Sequence, residues 1–263
     1  MDCTIISGAS GYIGKAFLKN LISKTDACFL ITGRSKEKLE KVKKEMLSIA
    51  PAAIIDVFPA DLTKSEEREK LFEFADEKKL CLKRLINVAG VDTQKAFLKY
   101  DEPKLLFQLR VNYEAALSLT LSFLKRAIDN KPEVLTISSM CGITPMPYFA
   151  VYSSSKAALL NFFTALSYEL KGIAKITTVL PGSVETRPDV IEDIKKQGLT
   201  GKLSKKSPDY VAKKSLAALR QGKRIFVPGF YNKLVYFFTK ITPKNLAMKI
   251  VAKKFKIKEK DAF

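Results

Sequence analysis

Histidine and tryptophan are absent from the 263 residues, and there are only four cysteines. Without imidazole there is no histidine-liganded metal site and no Ser-His-Asp triad, so acid–base chemistry near neutral pH must come from other side chains. Cys3, Cys28, Cys81 and Cys141 lie far apart and form no ligand cluster. Three of them stand in apolar, strand-like runs that suit reduced, buried thiols, whereas Cys141, two residues after Ser139, is placed to line a site. The opening Met-Asp-Cys-Thr-Ile-Ile-Ser-Gly is too short in apolar residues and lacks the basic start of a secretory signal, so a cytoplasmic protein is expected. Internal repeats and low-complexity tracts are also missing.

Acidic residues are scarce in one place only. Residues 195–263 hold nineteen Lys or Arg against Asp209, Glu259 and Asp261, which accounts for sixteen of the net +19. The rest of the chain is close to neutral, so the basic character belongs to an appended surface.

What remains is enough for one large α/β domain, with 47% hydrophobic residues and twelve glycines. Apolar runs at 3–7, 27–32, 53–58, 82–88, 134–138, 175–180 and 224–227 alternate with stretches of helical period, which predicts a parallel sheet covered on both faces. The first run stops at Gly8-Ala9-Ser10-Gly11-Tyr12-Ile13-Gly14 and opens a helix. A glycine turn there lets backbone approach a pyrophosphate while the helix N-terminus supplies oriented N–H groups. After the second run, Arg34 and Ser35 replace the acidic residue that would bind the ribose 2′-hydroxyl of NAD. A guanidinium and a hydroxyl suit a 2′-phosphate, so NADP is expected over NAD. Asn87-Val88-Ala89-Gly90 ends the fourth run with small residues that leave room for a flat ligand, and Ser139 ends the fifth. Asn112 is an amide inside an apolar helical stretch, which calls for a hydrogen-bonding task. The polar stretch from Thr186 to Ser207, with Gly198 and Gly201, suggests a mobile segment over the site.

Tyr152 and Lys156 stand four apart at the start of a predicted helix, so both side chains fall on one face. An ammonium beside a phenol stabilises the phenolate, lowers the tyrosine pKa and makes a better proton donor near neutrality.

Taken in order and spacing, the glycine turn, Asn87 to Gly90, Asn112, Ser139, Tyr152 with Lys156, and Pro181-Gly182 with Thr186 resemble the short-chain dehydrogenase/reductase family over residues 3–230. The resemblance implies a Rossmann-type, doubly wound parallel sheet of about seven strands, with residues 1–229 as the catalytic domain and 230–263 as a helical extension of it. It implies catalytic roles for Asn112, Ser139, Tyr152 and Lys156. Tyr152 would give a proton to the developing alkoxide while NADPH supplies hydride to a carbonyl. Ser139 would hold that oxygen, Lys156 would also bond the nicotinamide ribose, and Asn112 would complete a relay through water. It adds Asp61, Leu62, Val184 and Thr186 to the cofactor-binding residues, and a homodimer or homotetramer as the assembly. One departure stands out: Gly8, Gly11 and Gly14 have the spacing of longer relatives that act on nucleotide sugars, which keeps an epimerase or dehydratase open as an alternative. A nucleotide-sensing protein without turnover is a further one.

Beyond residue 229 the chain departs from a minimal family member. Tyr231, Leu234, Val235, Phe238 and Ile241 recur at helical spacing, Thr242-Pro243 starts a second helix, and lysines flank both. Pro243 and the interrupting lysines argue against a membrane span. The pattern suits contact with an anionic membrane surface through 230–258, or packing on the enzyme or on a sister subunit. The resemblance to family members with similar C-terminal extensions, some of which act on acyl chains or steroids, adds the expectation of a lipidic ketone as substrate. No nucleic-acid motif accompanies the charge.

Overall fold

A computed structural model of the chain describes residues 1–22, 28–255 and 260–261. Ala27, where the sequence reading starts its second strand, and residues 256–259 of the basic extension lie outside the described residues.

Strand β1 (Asp2–Ser7), helix α1 (Tyr12–Ile22), β2 (Cys28–Gly33), α2 (Lys36–Ile49), β3 (Ile54–Pro59), α3 (Ser65–Glu77) and β4 (Cys81–Asn87) form the first half. After a two-residue strand β5 (Thr93–Gln94) come α4 (Glu102–Leu109), a π-turn at Arg110–Glu114, α5 (Ala115–Ala127), β6 (Glu133–Ile137), α6 (Ala150–Glu169) and β7 (Lys175–Val179). The remainder is α7 (Pro188–Lys196), α8 (Gly198–Ser204), α9 (Pro208–Arg220), β8 (Ile225–Phe226), α10 (Phe230–Ile241), α11 (Lys244–Phe255) and β9 (Lys260–Asp261).

Seven strands pair in the order β3-β2-β1-β4-β6-β7-β8, all in parallel, giving the doubly wound Rossmann-type sheet that the pattern predicts. Both faces are dry because successive side chains alternate. Ile5 and Leu30 point into one core with Leu71, Phe123 and Phe163. Their neighbours Ile6, Phe29 and Ile31 point into the other, with Phe17, Leu39 and Leu216. That two-sided burial is why β1 and β2 read as continuous apolar runs rather than as alternation. The order reverses between β1 and β4, and ligands of open α/β sheets bind beyond the C-terminal strand ends at such a point.

Two readings need correction. Cys81 is exposed at the first residue of β4, whereas Cys3 and Cys28 are buried as expected. The segment after Thr186 is helical rather than irregular: Arg187–Pro188 starts α7, and α8 follows one residue after α7 ends. Its base is closed where Glu185 N donates to Lys206 O at 3.0 Å and Lys206 N donates to Ser183 O at 2.9 Å.

Candidate active site

The glycine turn is shaped for close approach. Gly8 has φ +67°, and a Cβ there would lie 2.8 Å from the backbone of Ala89, while a Cβ on Gly14 would overlap Gly8 O. Gly11 N donates to Gly8 O at 3.0 Å, and α1 starts at Tyr12, which stands half-exposed at the helix N-terminus. On the facing strand, Ser7 Oγ accepts from Val88 N at 3.1 Å and Ala89 N at 3.3 Å, which fixes the end of β4 against the turn. Ser7 carries no motif, and only its place at the end of β1 marks it.

A cavity of about 730 Å³ runs from this turn across the strand ends. Gly8, Ser10, Gly11, Tyr12, Ile13 and Gly14 line its start, followed by Arg34, Asp61 and Leu62, then Ala89 and Gly90. Ser139, Tyr152, Lys156, Pro181, Gly182, Val184 and Thr186 line its far end. The structure thus brings together almost all the residues expected from the sequence. Ser35, Asn87 and Asn112 are the exceptions. Ser35 Oγ accepts from Lys38 N at 3.2 Å and caps α2. Asn87 is buried, and its amide donates to Thr120 Oγ1 at 3.0 Å and Thr136 Oγ1 at 3.3 Å, tying β4 to α5 and β6. In place of Ser35, Lys38 shares the cavity rim with Arg34, one helical turn away. The guanidinium of Arg34 also lies 5.2 Å from the centre of the Phe107 ring.

At the far end, Ser139 is set by its neighbours in the chain. Ser138 N donates to Val179 O at 2.8 Å and Met140 N to Pro181 O at 3.0 Å, which prolongs the β6–β7 pairing past the strand ends. Ser139 Oγ accepts from Cys141 N at 3.1 Å. Tyr152 lies in the first turn of α6, stacked on Phe149 at 4.5 Å between ring centres, and Tyr148 just before it takes the left-handed conformation (φ 64°). Lys156 is buried one turn on. Its Nζ donates to Ile137 O at 3.0 Å and stands 5.7 Å from the centre of the Tyr152 ring.

Asn112 lies outside the cavity lining, in the π-turn, and clamps the β4 loop to α6. Its Oδ1 accepts from Val91 N at 2.7 Å, and its amide donates to Val91 O at 2.9 Å and Ser155 Oγ at 3.1 Å. Gly90 lies between this clamp and Lys156: a Cβ on it would be 3.2 Å from Asn112 Oδ1 and 3.4 Å from Lys156 Nζ.

The electrostatics differ from the simplest expectation. Loss of water around the Tyr152 phenol pushes its pKa well above the ordinary value, helped by Cys141 and Asp92, and a hydrogen bond with Ser139 opposes the rise only in part. The same desolvation lowers Lys156 to about 8. Where the sequence predicts a tyrosine lowered by its lysine, burial instead sets the phenol above its ordinary value, and the pair holds two protons that burial drives in opposite directions.

Two residues that carry no motif complete the wall. Arg187, directly after Thr186, bonds Asp92 Oδ1 from both terminal nitrogens at 3.1 Å, and its Nε donates to Asp189 at 3.2 Å. Burial works against its charge, but Asp92 and Asp189 carry its pKa above the ordinary value. Among the described residues, no group of three or more His, Cys, Asp or Glu side chains could hold a metal ion.

Comparison with known proteins agrees with this architecture. The family model for short chain dehydrogenase matches residues 2–195. The 11-beta-hydroxysteroid dehydrogenase-like 2 protein of Arabidopsis thaliana is 29% identical over 183 residues, which is 69% of this chain and 59% of that protein. Among solved structures, one of a 7beta-hydroxysteroid dehydrogenase superposes with a TM-score of 0.86 at 20% identity, covering 95% of this chain and 96% of that one. A short-chain dehydrogenase from Sphingobium yanoikuyae in complex with NADPH superposes with a TM-score of 0.77 at 18% identity, covering 94% and 95%. At such identities these structures bear on the fold.

Proposed function

The chain belongs to the short-chain dehydrogenase family of oxidoreductases, and from that premise we propose that it reduces the carbonyl group of a small-molecule substrate with NADPH. The observation that carries this reading is one cavity joining the glycine turn at Gly8 and the cations at Arg34 and Lys38 to the Ser139, Tyr152 and Lys156 side chains.

The residues fit a dinucleotide. The overlap that any Cβ would make at Gly8 and Gly14 keeps a cradle open at the N-terminus of α1, where N–H groups and the helix dipole favour a pyrophosphate. Arg34 and Lys38 would hold a 2′-phosphate by charge-assisted hydrogen bonds, the basis for preferring NADP to NAD. When bound, the cofactor supplies a hydride to the carbonyl carbon.

Everything else falls to the protein. Ser139 Oγ donates to the carbonyl oxygen and fixes it beside Tyr152. The phenol keeps its proton up to high pH, so it reaches the reaction protonated and releases the proton only to an oxygen that is becoming an alkoxide. Lys156, charged, steadies the tyrosinate left behind and turns to the ribose hydroxyls. Asn112 acts through position: both amide donors are already used, so a water relay past it would leave from an oxygen. We place the protein in the cytoplasm as a homodimer or homotetramer.

The test is a panel of aldehydes and ketones, apolar ketones included, followed by loss of NADPH absorbance. Turnover by the wild type and none by Tyr152→Phe, with NADPH binding kept by both, is the expected result. No turnover of any carbonyl by a protein that binds NADPH would sink the reductase reading.

A further inference from the structure

The helices after Pro228 expose what a globular protein would ordinarily bury. In α10 only Asn232 is buried, while Phe230 is 76% exposed, Ile241 64%, Phe237 59% and Phe238 57%. With Leu234 they follow one another at steps of three and four, so they form a single apolar stripe. In α11, Leu246 and Ile250 repeat the step of four and are likewise exposed. Residues 230–255 contain six lysines and no acidic residue. Lys233, Lys240, Lys244 and Lys249 are exposed beside these apolar positions.

The stripe is held firmly at one end. Asn232 Nδ2 donates to Pro228 O at 2.8 Å and Ser204 O at 3.0 Å, and its Oδ1 accepts from Ser204 Oγ at 2.9 Å. A Cβ on Gly182 would lie 2.7 Å from that Oδ1, so the root of α10 touches the strand end that lines the cavity. Helix α8, which packs on α10, adds exposed Leu199 and Leu203.

From this we propose that α10 and α11 form a docking surface for an anionic phospholipid bilayer. The apolar stripe would enter the interface and the lysines would meet the headgroups. A second copy of the chain is the weaker fit, because a symmetric contact through this face would set lysines against lysines with no carboxylate between 230 and 255 to offset them. Among the described residues no helix is long and apolar enough to cross a membrane, so the contact is with the surface. Docking there brings the cavity mouth to the bilayer, and an apolar carbonyl compound could then reach Tyr152 from the membrane. That last step alone rests on the reductase reading.

The experiment is co-sedimentation of the full chain with vesicles of phosphatidylcholine and with vesicles of equal parts phosphatidylcholine and phosphatidylglycerol. Binding to the anionic vesicles at least about tenfold stronger is expected, and most of it should be lost near 0.5 M salt, where screening leaves a Debye length of only about 4 Å. A Phe237→Ser/Phe238→Ser variant and a Lys240→Glu/Lys244→Glu variant should each lose about tenfold in partition. Both should keep NADPH affinity, melting temperature and turnover of a water-soluble carbonyl. Intact protein that stays in the supernatant with anionic vesicles at low salt overturns the proposal. So do variants that dissociate an oligomer in sedimentation velocity while their vesicle binding stays as in the wild type, since the face is then an interface between copies. Loss of turnover on every carbonyl with vesicle binding intact would count against the reductase reading and leave the docking surface standing.

Discussion

Helix α6 lines the cavity end and α10 is rooted beside it, where Asn232 meets Gly182, and both carry a tyrosine followed four residues later by a lysine. In α6 these are Tyr152 and Lys156; in α10 they are Tyr236 and Lys240. Each lysine lies near its ring, at 5.7 Å in the first case and 4.5 Å in the second. Yet Lys156 is buried and bonded to the end of β6, whereas Lys240 is exposed on a helix that packs little against the body. The four-residue step is a property of any helix. What sets the pairs apart is the strand ends that close around one and not the other.

The largest contrast should come from removing one hydroxyl at each place. Tyr152→Phe is expected to cut kcat/KM for carbonyl reduction by about 10²- to 10⁴-fold, the usual worth of a positioned proton donor, with NADPH binding unchanged. Tyr236→Phe should leave the rate on a soluble substrate within about twofold, as ordinary for a half-buried site outside the machinery. Equal losses in both variants would break the distinction.

A third pair at the same step, Arg34 and Lys38, lies on the opposite rim. Arg34→Ala/Lys38→Ala should reduce the preference for NADPH over NADH by about ten- to a hundredfold, since each charge-assisted bond to a phosphate contributes about 1.5–3 kcal/mol and both sites are solvated. Measured dissociation constants for the two cofactors decide it, and an unchanged ratio would remove the phosphate assignment.

How much of this was legible from the residues follows from the same comparison. The sheet was readable because β1, β2, β6 and β7 are buried on both faces and carry almost nothing but apolar side chains and threonine. The cavity floor was readable because glycine at 8 and 14 answers a backbone demand that no other residue meets. Asn87 reads two ways, because a buried amide at a strand end can serve a ligand or its own neighbours; here its nitrogen donates to Thr120 and Thr136 while its oxygen keeps no protein partner among the described residues. Asp92 and Arg187 were invisible, because their pairing joins segments 95 positions apart and no local pattern records it. The helical order of residues 188–204 was hidden by two glycines and a polar composition, which disguise α7 and α8 as loop. In the last quarter the amphipathic period was plain, but only burial could reveal that the apolar stripe of α10 faces outward.

Acidity gives a contrast of about tenfold per pH unit. Lys156, lowered to about 8 from its usual 10.5, is charged below that point and neutral above it. If the charged form steadies the tyrosinate, kcat/KM for reduction should be flat below pH 8 and fall above it, while the Tyr152 proton is retained throughout. Stability should move the other way. Between about 8 and 10.5 the unfolded chain holds a proton on Lys156 that the folded chain has lost, so this group's contribution rises with pH across that window. Rates and melting temperatures recorded in the same buffers, with Lys240→Met as the exposed control, would sharpen the comparison. A bend in rate that persists unchanged in Lys156→Arg would assign it to another group.

The smallest effect should come from the contact that ties the two regions together. Arg187 opens the α7–α8 segment and reaches across to Asp92 in the loop after β4, beside the cavity end that holds Tyr152. Both partners are more than a third exposed, at 38% and 37% of their side-chain surface, so the pair is worth at most about 1 kcal/mol in stability. Its leverage is geometric, because it helps to hold the segment that begins just after Thr186 over the site. Arg187→Ala should therefore raise KM for the carbonyl substrate about threefold with little change in kcat, an amount in keeping with a loosened, half-exposed ion pair. Asp92→Asn should do the same, and the double variant should do no worse than either single one, because the two changes remove one interaction. Additive losses would mean that each residue meets the substrate by itself, and the wall beside Tyr152 would then belong to recognition rather than to closure.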